Sequence, residues 1–295
     1  MDRIHAVIEL QRRLRAQGYI ADRPLAATLL LMDDLSKPLL LEGEAGAGKT
    51  EVAKILARLH GTECLRLQCY EGLDAHSALY EWNYQRQLLA IRLLERDERS
   101  MEAKEAGIFS DRYLLKRPLL DSITREQPVV LLIDEIDRAD EAFEAYLLEL
   151  LSDFQLSIPE LGTIRARSRP WVVLTSNNTR ELSDALRRRC LYHYVEYPSF
   201  EKELLIVETR LPEASGKLAR QLVEFVQSLR QEDLQRKPGI AETLDWAAAL
   251  LRLQVKALDE VNSEALLDSL CALLKTRADR AAMTTDVVQR MVATC

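Results

Sequence analysis

The chain has no apolar run approaching the roughly eighteen to twenty residues that a membrane-crossing helix needs. Its amino terminus, MDRIHAVIELQRRL, carries charge throughout the stretch where a secretory signal would be uninterruptedly apolar. Cysteines are few and scattered. Cys64, Cys69, Cys190, Cys271 and Cys295 form no CxxC pair, and the four histidines do not fall at ligand spacing beside them, which argues against a zinc site or a disulfide framework. Ordinary reduced thiols are the reading that remains. A basic excess is missing too: 40 Lys and Arg against 47 Asp and Glu leave a net charge of −7. That balance argues against a protein whose main task is to coat nucleic acid, although a local basic patch stays open. Internal repeats and low-complexity tracts are absent. These absences lead to the expectation of a soluble, cytoplasmic protein, and 295 residues suit one large domain with a smaller companion.

The pattern along the chain is strand and helix in alternation. Residues 1 to about 17 have the spacing of an amphipathic helix that Gly18 ends, and a second helix follows Pro24. Then come strand PLLLEG, a helix from Lys49, strand CLRLQC, a long and mostly helical stretch, strand PVVLLID, helix DEAFEAYLLELLSD, strand WVVLTS, helix TRELSDALRR and strand LYHYVEY. Continuous apolar strands alternating with helices predict a parallel sheet covered on both faces. After Pro198 the strands stop, and EKELLIVETRL, GKLARQLVEFVQSLRQ, AETLDWAAALLRL and SEALLDSLCALLKTRA each have helical spacing. The expected organisation is an α/β domain over 1–198, with insertions within about 70–127, and an all-helical domain over 199–295.

Gly43 to Thr50, GEAGAGKT, satisfies G-x-x-x-x-G-K-[ST] between an apolar strand and an amphipathic helix. Glycines let backbone N–H groups turn inward around a phosphate, and the helix start adds its positive end. Gly43, Glu44, Ala45, Gly46, Ala47, Gly48, Lys49, Thr50 and Glu51 are the candidate nucleotide-binding residues. Lys49 would reach the β- and γ-phosphates, and Thr50 would give its hydroxyl to magnesium. A second apolar strand, VVLLIDEID, ends in Asp134 and Glu135. Asp134 would hold magnesium directly or through water, and Glu135 would polarise the attacking water. With the two elements in this order, the chain reads as a binder and hydrolyser of a nucleoside triphosphate.

Asn177 lies just past the strand WVVLTS, where a neutral amide can hold the attacking water or a phosphate oxygen; it would equally serve a turn with Asn178. In SDALRRRC, Arg187, Arg188 and Arg189 end a short helix. A helix carboxyl end offsets only part of their mutual repulsion, so a partner anion is implied unless the turn is simply solvated. A phosphate held by a neighbouring subunit would fit.

The loop Gly43 to Thr50, the strand end Asp134-Glu135, Asn177 and Arg189 before Cys190 together resemble a P-loop AAA+ ATPase module, with 199–295 resembling its helical lid. The stretch from Leu132 through Asn177 is similar to the MoxR type. RLQCYEGLDAHSALYEWNYQRQLL and YHYVEYP resemble its CoxD-like branch, associated with carbon monoxide dehydrogenase and related molybdenum hydroxylases. The resemblance implies ATP and Mg²⁺ as cofactors and a homo-oligomeric ring, usually a hexamer, in which Arg189 or Arg188 reaches the neighbour's ATP. It also implies a partner with a von Willebrand factor A domain and a metalloenzyme client to be remodelled or matured. Tyr80, Trp82 and Tyr84 would form an interaction surface or anchor the insertion on its own domain. Leu156 to Arg169 reads as a hairpin whose Arg165, Arg167 and Arg169 would touch a client or be solvated. The lid departs from the family pattern, because KPGIAETLDW has no arginine after Pro238 where many such lids sense the γ-phosphate; Arg236 and Lys237 lie just upstream. Two other functions compete: a nucleotide-dependent scaffold with slow hydrolysis, and a nucleic-acid motor or clamp-loader-like ATPase, to which LRRRC is also similar.

Overall fold

The structure, a computed structural model, describes residues 3–74, 78–94, 107, 108, 110–158, 162–214 and 216–295. In chain order its elements begin with α1 (Arg3–Ala16), α2 (Arg23–Leu35), β1 (Leu39–Glu42), α3 (Lys49–His60) and β2 (Cys64–Gln68). Next come β3 (Tyr80–Trp82), α4 (Tyr84–Leu94), β4 (Leu114–Lys116), α5 (Pro118–Thr124), β5 (Val130–Asp134), α6 (Glu141–Asp153), β6 (Gln155–Ile158), β7 (Gly162–Arg165) and β8 (Trp171–Ser176). After α7 (Asp184–Arg189) and β9 (Leu191–Tyr194) the chain is helical: α8 (Phe200–Arg210), α9 (Gly216–Leu229), α10 (Ile240–Arg252), α11 (Ser263–Ser269), α12 (Arg277–Ala282) and α13 (Thr285–Ala293).

Contacts divide the chain into two compact units. One comprises residues 27–42 and 52–193; the other comprises 1–26, 43–51 and 194–295. The first contains the expected α/β architecture, a five-stranded sheet in the order β2-β5-β8-β1-β9. β2 with β5, β5 with β8 and β8 with β1 run parallel. Every residue of β1 and β5 is buried, as is all of β8 after Trp171. An apolar run without alternation is buried in this way only when both sheet faces are covered. Leu119, Leu120 and Ile123 of α5 and Phe143, Leu147 and Leu150 of α6 join Leu131, Ile133 and Leu174 in one core.

Two departures from the sequence pattern lie in this unit. The helix expected from Thr179 starts only at Asp184. Buried Asp137 accepts from the N–H and hydroxyl of Thr179, at 3.0 and 2.6 Å. Buried Glu144 accepts from Arg180 and, at 2.9 Å, from the Ser183 N–H. Thr179 to Ser183 are thereby held out of the helix, and the Ser183 hydroxyl caps α7 by accepting from the Leu186 N–H. Within the stretch 70–127 the sequence pattern did not show that β3 and β4 pair antiparallel between the helices; residues 75–77, 95–106 and 109 of that stretch lie outside the described residues. Tyr80 and Trp82 are buried in an edge-to-face contact and anchor this segment on its own unit, whereas Tyr84 is 64% exposed. β6 and β7 form the expected hairpin, of which residues 159–161 lie outside the described residues, and Arg165, Arg167 and Arg169 are exposed.

The other unit has its own core, built on Leu222, Phe225 and Val226 of α9, Trp246 of α10, Leu270 and Met291. The helix expected over 263–278 is broken between α11 and α12, and α13 was not anticipated. At the middle of this unit Arg230, 4% exposed, meets fully buried Glu203 in a two-pronged pair, Nη1 to Oε2 at 2.6 Å and Nη2 to Oε1 at 2.7 Å. Thr243 donates to the same carboxylate at 2.9 Å. Removing one member of such a pair strands the other charge in a medium that cannot solvate it. Glu203→Ala is therefore expected to lower the free energy of unfolding by about 3–5 kcal/mol in equilibrium urea denaturation. A loss below about 1 kcal/mol, the scale of exposed pairs, would show that water reaches Arg230.

Candidate phosphate-binding and hydrolysis residues

The loop after β1 is shaped by its glycines. Gly43, Gly46 and Gly48 have φ of 153°, 82° and 94°. A Cβ on Gly43 would lie 2.2 Å from the Val195 carbonyl oxygen, so no side chain fits there. Lys49 is buried and its ammonium donates to the carbonyls of Gly43, at 2.7 Å, and Glu44, at 2.8 Å. A cation drawn to the inside of a glycine-rich turn at a helix start is the arrangement an incoming phosphate requires. Thr50 and Glu51 follow in the first turn of α3.

The loop is bound by main chain to the turn that precedes α10. Gly46 and Gly239 touch backbone to backbone: a Cβ on Gly239 would lie 2.6 Å from both the Gly46 Cα and its carbonyl oxygen. The Ile240 N–H donates to that oxygen at 3.1 Å, and the Glu242 carboxylate accepts from the Gly239 N–H at 3.1 Å. Behind the turn, Arg230 Nε donates to the Pro238 carbonyl at 2.8 Å. The Tyr197 hydroxyl donates to the Ala45 carbonyl at 2.9 Å, and Arg230 lies over the Tyr197 ring at 5.0 Å. Burial, with Glu44 next in weight, pushes the Tyr197 phenol above its usual range, so it stays a donor. The region that lacks a sensor arginine thus meets the loop through Gly239 and Ile240.

The second group of residues lies at the carboxyl end of the sheet. The register sets Glu42 beside Ser176 and Gln68 beside Asp134. Asp134 is 3% exposed. Its Oδ1 accepts from the Thr175 hydroxyl at 2.5 Å, and its Oδ2 accepts from Arg66 Nε at 2.9 Å and Nη2 at 2.5 Å. Glu135 follows with φ 56° and ψ 50°, the left-handed region that a residue with a side chain enters at a cost of about 1–3 kcal/mol. Its N–H donates to the Thr175 hydroxyl at 2.9 Å, and its carboxylate accepts from Arg138 at 3.1 Å. One buried hydroxyl therefore links both acids. Asn177 is half-buried just beyond β8, and Asn178 makes the turn with φ 57°. The donor set suits magnesium, which takes one or two carboxylates and completes its shell with phosphate oxygens and water. Among the described residues no group of three or more His, Cys, Asp or Glu is placed as a metal cage.

Burial pushes the thiol of Cys69 up to about 12, with Asp134 adding to the effect, and burial does the same for Cys190. Neither offers a thiolate at neutral pH.

The three arginines separate by environment. Arg187 donates to Glu42 at 3.1 Å, and the Tyr192 hydroxyl donates to the other oxygen of that buried carboxylate at 2.7 Å. Arg189 donates to Ser152 of α6 and, at 3.0 Å, to the Ala185 carbonyl. Arg188 is exposed. Sequence reasoning missed Thr175, Arg66, Arg138, Glu42 and Gly239. A threonine within the apolar strand WVVLTS and a glycine at a helix start carried a signal. Arg66 and Arg138 carried none.

A family described as AAA domain (dynein-related subfamily) matches residues 38–190. Among curated proteins, uncharacterized proteins of Staphylococcus aureus strains USA300, COL and MW2 are each 24% identical over 227 residues, 75% of this chain and 78% of theirs. Among solved structures, the Thermotoga maritima RuvB Holliday junction branch migration motor is similar with a TM-score of 0.46 and 16% identity, over 88% of this chain and 68% of that one. A point variant of that protein gives 0.48 and 16%, over 90% and 69%.

The tight backbone contact generates a prediction. Gly239→Ala, whose φ of −88° suits alanine, is expected to cost about 1–3 kcal/mol by overpacking alone and to weaken binding of a fluorescent ATP analogue. Unchanged nucleotide affinity in a destabilised variant would separate the lid turn from the loop.

Proposed function

We propose, on the premise that the chain belongs to the dynein-related subfamily of AAA domains, that it is an ATPase using loop Gly43–Glu51 to hold ATP and Asp134 with Glu135 to hydrolyse it. The observation carrying this reading is the Thr175 hydroxyl, which holds Asp134 and the strained backbone of Glu135 in one hydrogen-bonded unit. Lys49 would bind the β- and γ-phosphates, and Thr50 and Asp134 would hold magnesium, which when bound neutralises charge on the phosphates. Glu135 would take the proton of the attacking water, and Asn177 would orient that water.

In this reading 1–198 is the nucleotide-binding domain and 199–295 its lid, and copies of the chain assemble into a ring, probed as a hexamer. Arg188 is the arginine offered to the neighbour's ATP. Its exposure supports this, while Arg187 and Arg189 are engaged within their own subunit. The use of hydrolysis is the remodelling or maturation of a protein client. Leu88, Leu89 and Leu93 of α4 are 61%, 60% and 73% exposed, a surface that suits an apolar protein segment better than a phosphate backbone. The MoxR-type and CoxD-like resemblance supplies the finer proposal: a partner with a von Willebrand factor A domain and a molybdenum hydroxylase client.

Glu135→Gln is expected to keep ATP affinity within about threefold while turnover falls about 10²–10⁴-fold, read by phosphate release and nucleotide titration. Undiminished turnover overturns the role of Glu135. Arg188→Ala is expected to lose turnover by about 10³-fold, with activity partly restored on mixing with Glu135→Gln subunits. Recovery requires that the two residues act across an interface; without it Arg188 acts in its own subunit or not at all.

A further inference from the structure

Arg66 is a basic side chain that the sequence pattern left unassigned and that the structure brings to the candidate metal-holding acid Asp134. It stands on β2, the edge strand of the sheet, two residues before Gln68, whose Cα is paired with that of Asp134. Its side chain is 53% exposed, while that of Asp134 is 4% exposed. Two of its N–H groups, Nε at 2.9 Å and Nη2 at 2.5 Å, converge on the same oxygen, Asp134 Oδ2. Nη2 also donates to the Gln68 side-chain carbonyl, which keeps the guanidinium in place.

A carboxylate oxygen has about two lone-pair directions, and Arg66 takes both on Oδ2. On Oδ1 the Thr175 hydroxyl already donates. The guanidinium is the counter-charge that the structure places against this deeply buried carboxylate. A divalent cation, or a water held by one, therefore competes with Arg66 for this carboxylate. A guanidinium and a dication at one carboxylate oxygen also repel each other over a few ångströms.

We infer that Arg66 is a displaceable internal counter-ion: it holds the Asp134 carboxylate in place, and divalent-cation binding requires its release from Oδ2. This rests on the proposed role of Asp134 in holding the metal. Arg66 is a positioning residue that sets metal affinity. By linkage, a cation that expels Arg66 is weakened by the same factor that Arg66 gains from staying. The half-exposed side chain on an edge strand has solvent to move into, so release does not require the sheet to open.

The test is direct cation binding by the full chain with a non-hydrolysable ATP analogue, using Mn²⁺ as the probe and its paramagnetic resonance signal to count the free ion. Arg66→Gln, which removes the charge, is expected to bind Mn²⁺ about 3- to 10-fold more tightly than wild type, with analogue affinity in the absence of metal unchanged. Arg66→Lys, which keeps the charge but not the fork, is expected to fall between them, and it carries the test if the glutamine variant does not fold. Asp134→Asn is the control. Loss of Mn²⁺ binding in Asp134→Asn with no tightening in either Arg66 variant overturns the counter-ion and leaves the metal assignment standing. Wild-type Mn²⁺ binding in Asp134→Asn overturns the metal assignment itself. Weaker Mn²⁺ binding in Arg66→Gln would mean that Arg66 only orients Asp134, which also contradicts the inference.

Discussion

The hydroxyl of Thr175 is the point on which the candidate chemistry depends. It is buried between two strands, donates to Asp134 and accepts from the Glu135 N–H. A hydroxyl can do both at once because it has one proton and two lone pairs. The parallel register of β5 against β8, Ile133 beside Leu174, brings the three residues together. A slip of one residue would turn Thr175 to the opposite face and leave Asp134 with one partner fewer. The backbone of Glu135 enters the left-handed region at the same place, and the structure around it must hold it there. The buried apolar strands are therefore more than a core: they fix the acids to within hydrogen-bonding tolerance.

A comparable constraint acts on the phosphate loop. Gly43 has no room for a side chain, and Gly46 has a glycine of the lid segment against it. Contact through main chain leaves no side chain to relax, so any displacement of the Gly46 peptide must be answered at Gly239 and Ile240. The buried Arg230 and Glu203 pair stiffens the far side of that turn by holding the Pro238 carbonyl.

The parallel sheet, the helical segment after Pro198 and the loop were legible because each is written in local pattern: continuous apolar runs, three-to-four spacing, and glycines at fixed intervals. Asp134 and Glu135 were legible as acids ending a buried strand. The organisation of 179–183 was not, since the stretch reads as the start of a helix and the buried acids Asp137 and Glu144, more than thirty residues earlier, hold it out of one. The pairing of β3 with β4 joins three-residue segments some thirty residues apart, too short to show a period. Arg66 went unremarked within the strand CLRLQC, because nothing local says that its partner lies on the neighbouring strand. The environments of Arg187, Arg188 and Arg189 also depend on distant partners, Glu42 and Ser152, so three identical residues in a row were indistinguishable until the fold separated them.

What joins these observations is a division between a candidate phosphate loop shaped by glycine and candidate catalytic acids held by Thr175. The most direct measurement is phosphate release from ATP and Mg²⁺ under single-turnover conditions for wild type, Thr175→Ser and Thr175→Val, with nucleotide affinity measured alongside. The account predicts turnover by the wild type and the serine variant. It predicts a loss of about tenfold to a hundredfold in the valine variant, with nucleotide affinity retained. A wild type that releases no phosphate, or a valine variant as fast as the wild type, would contradict it.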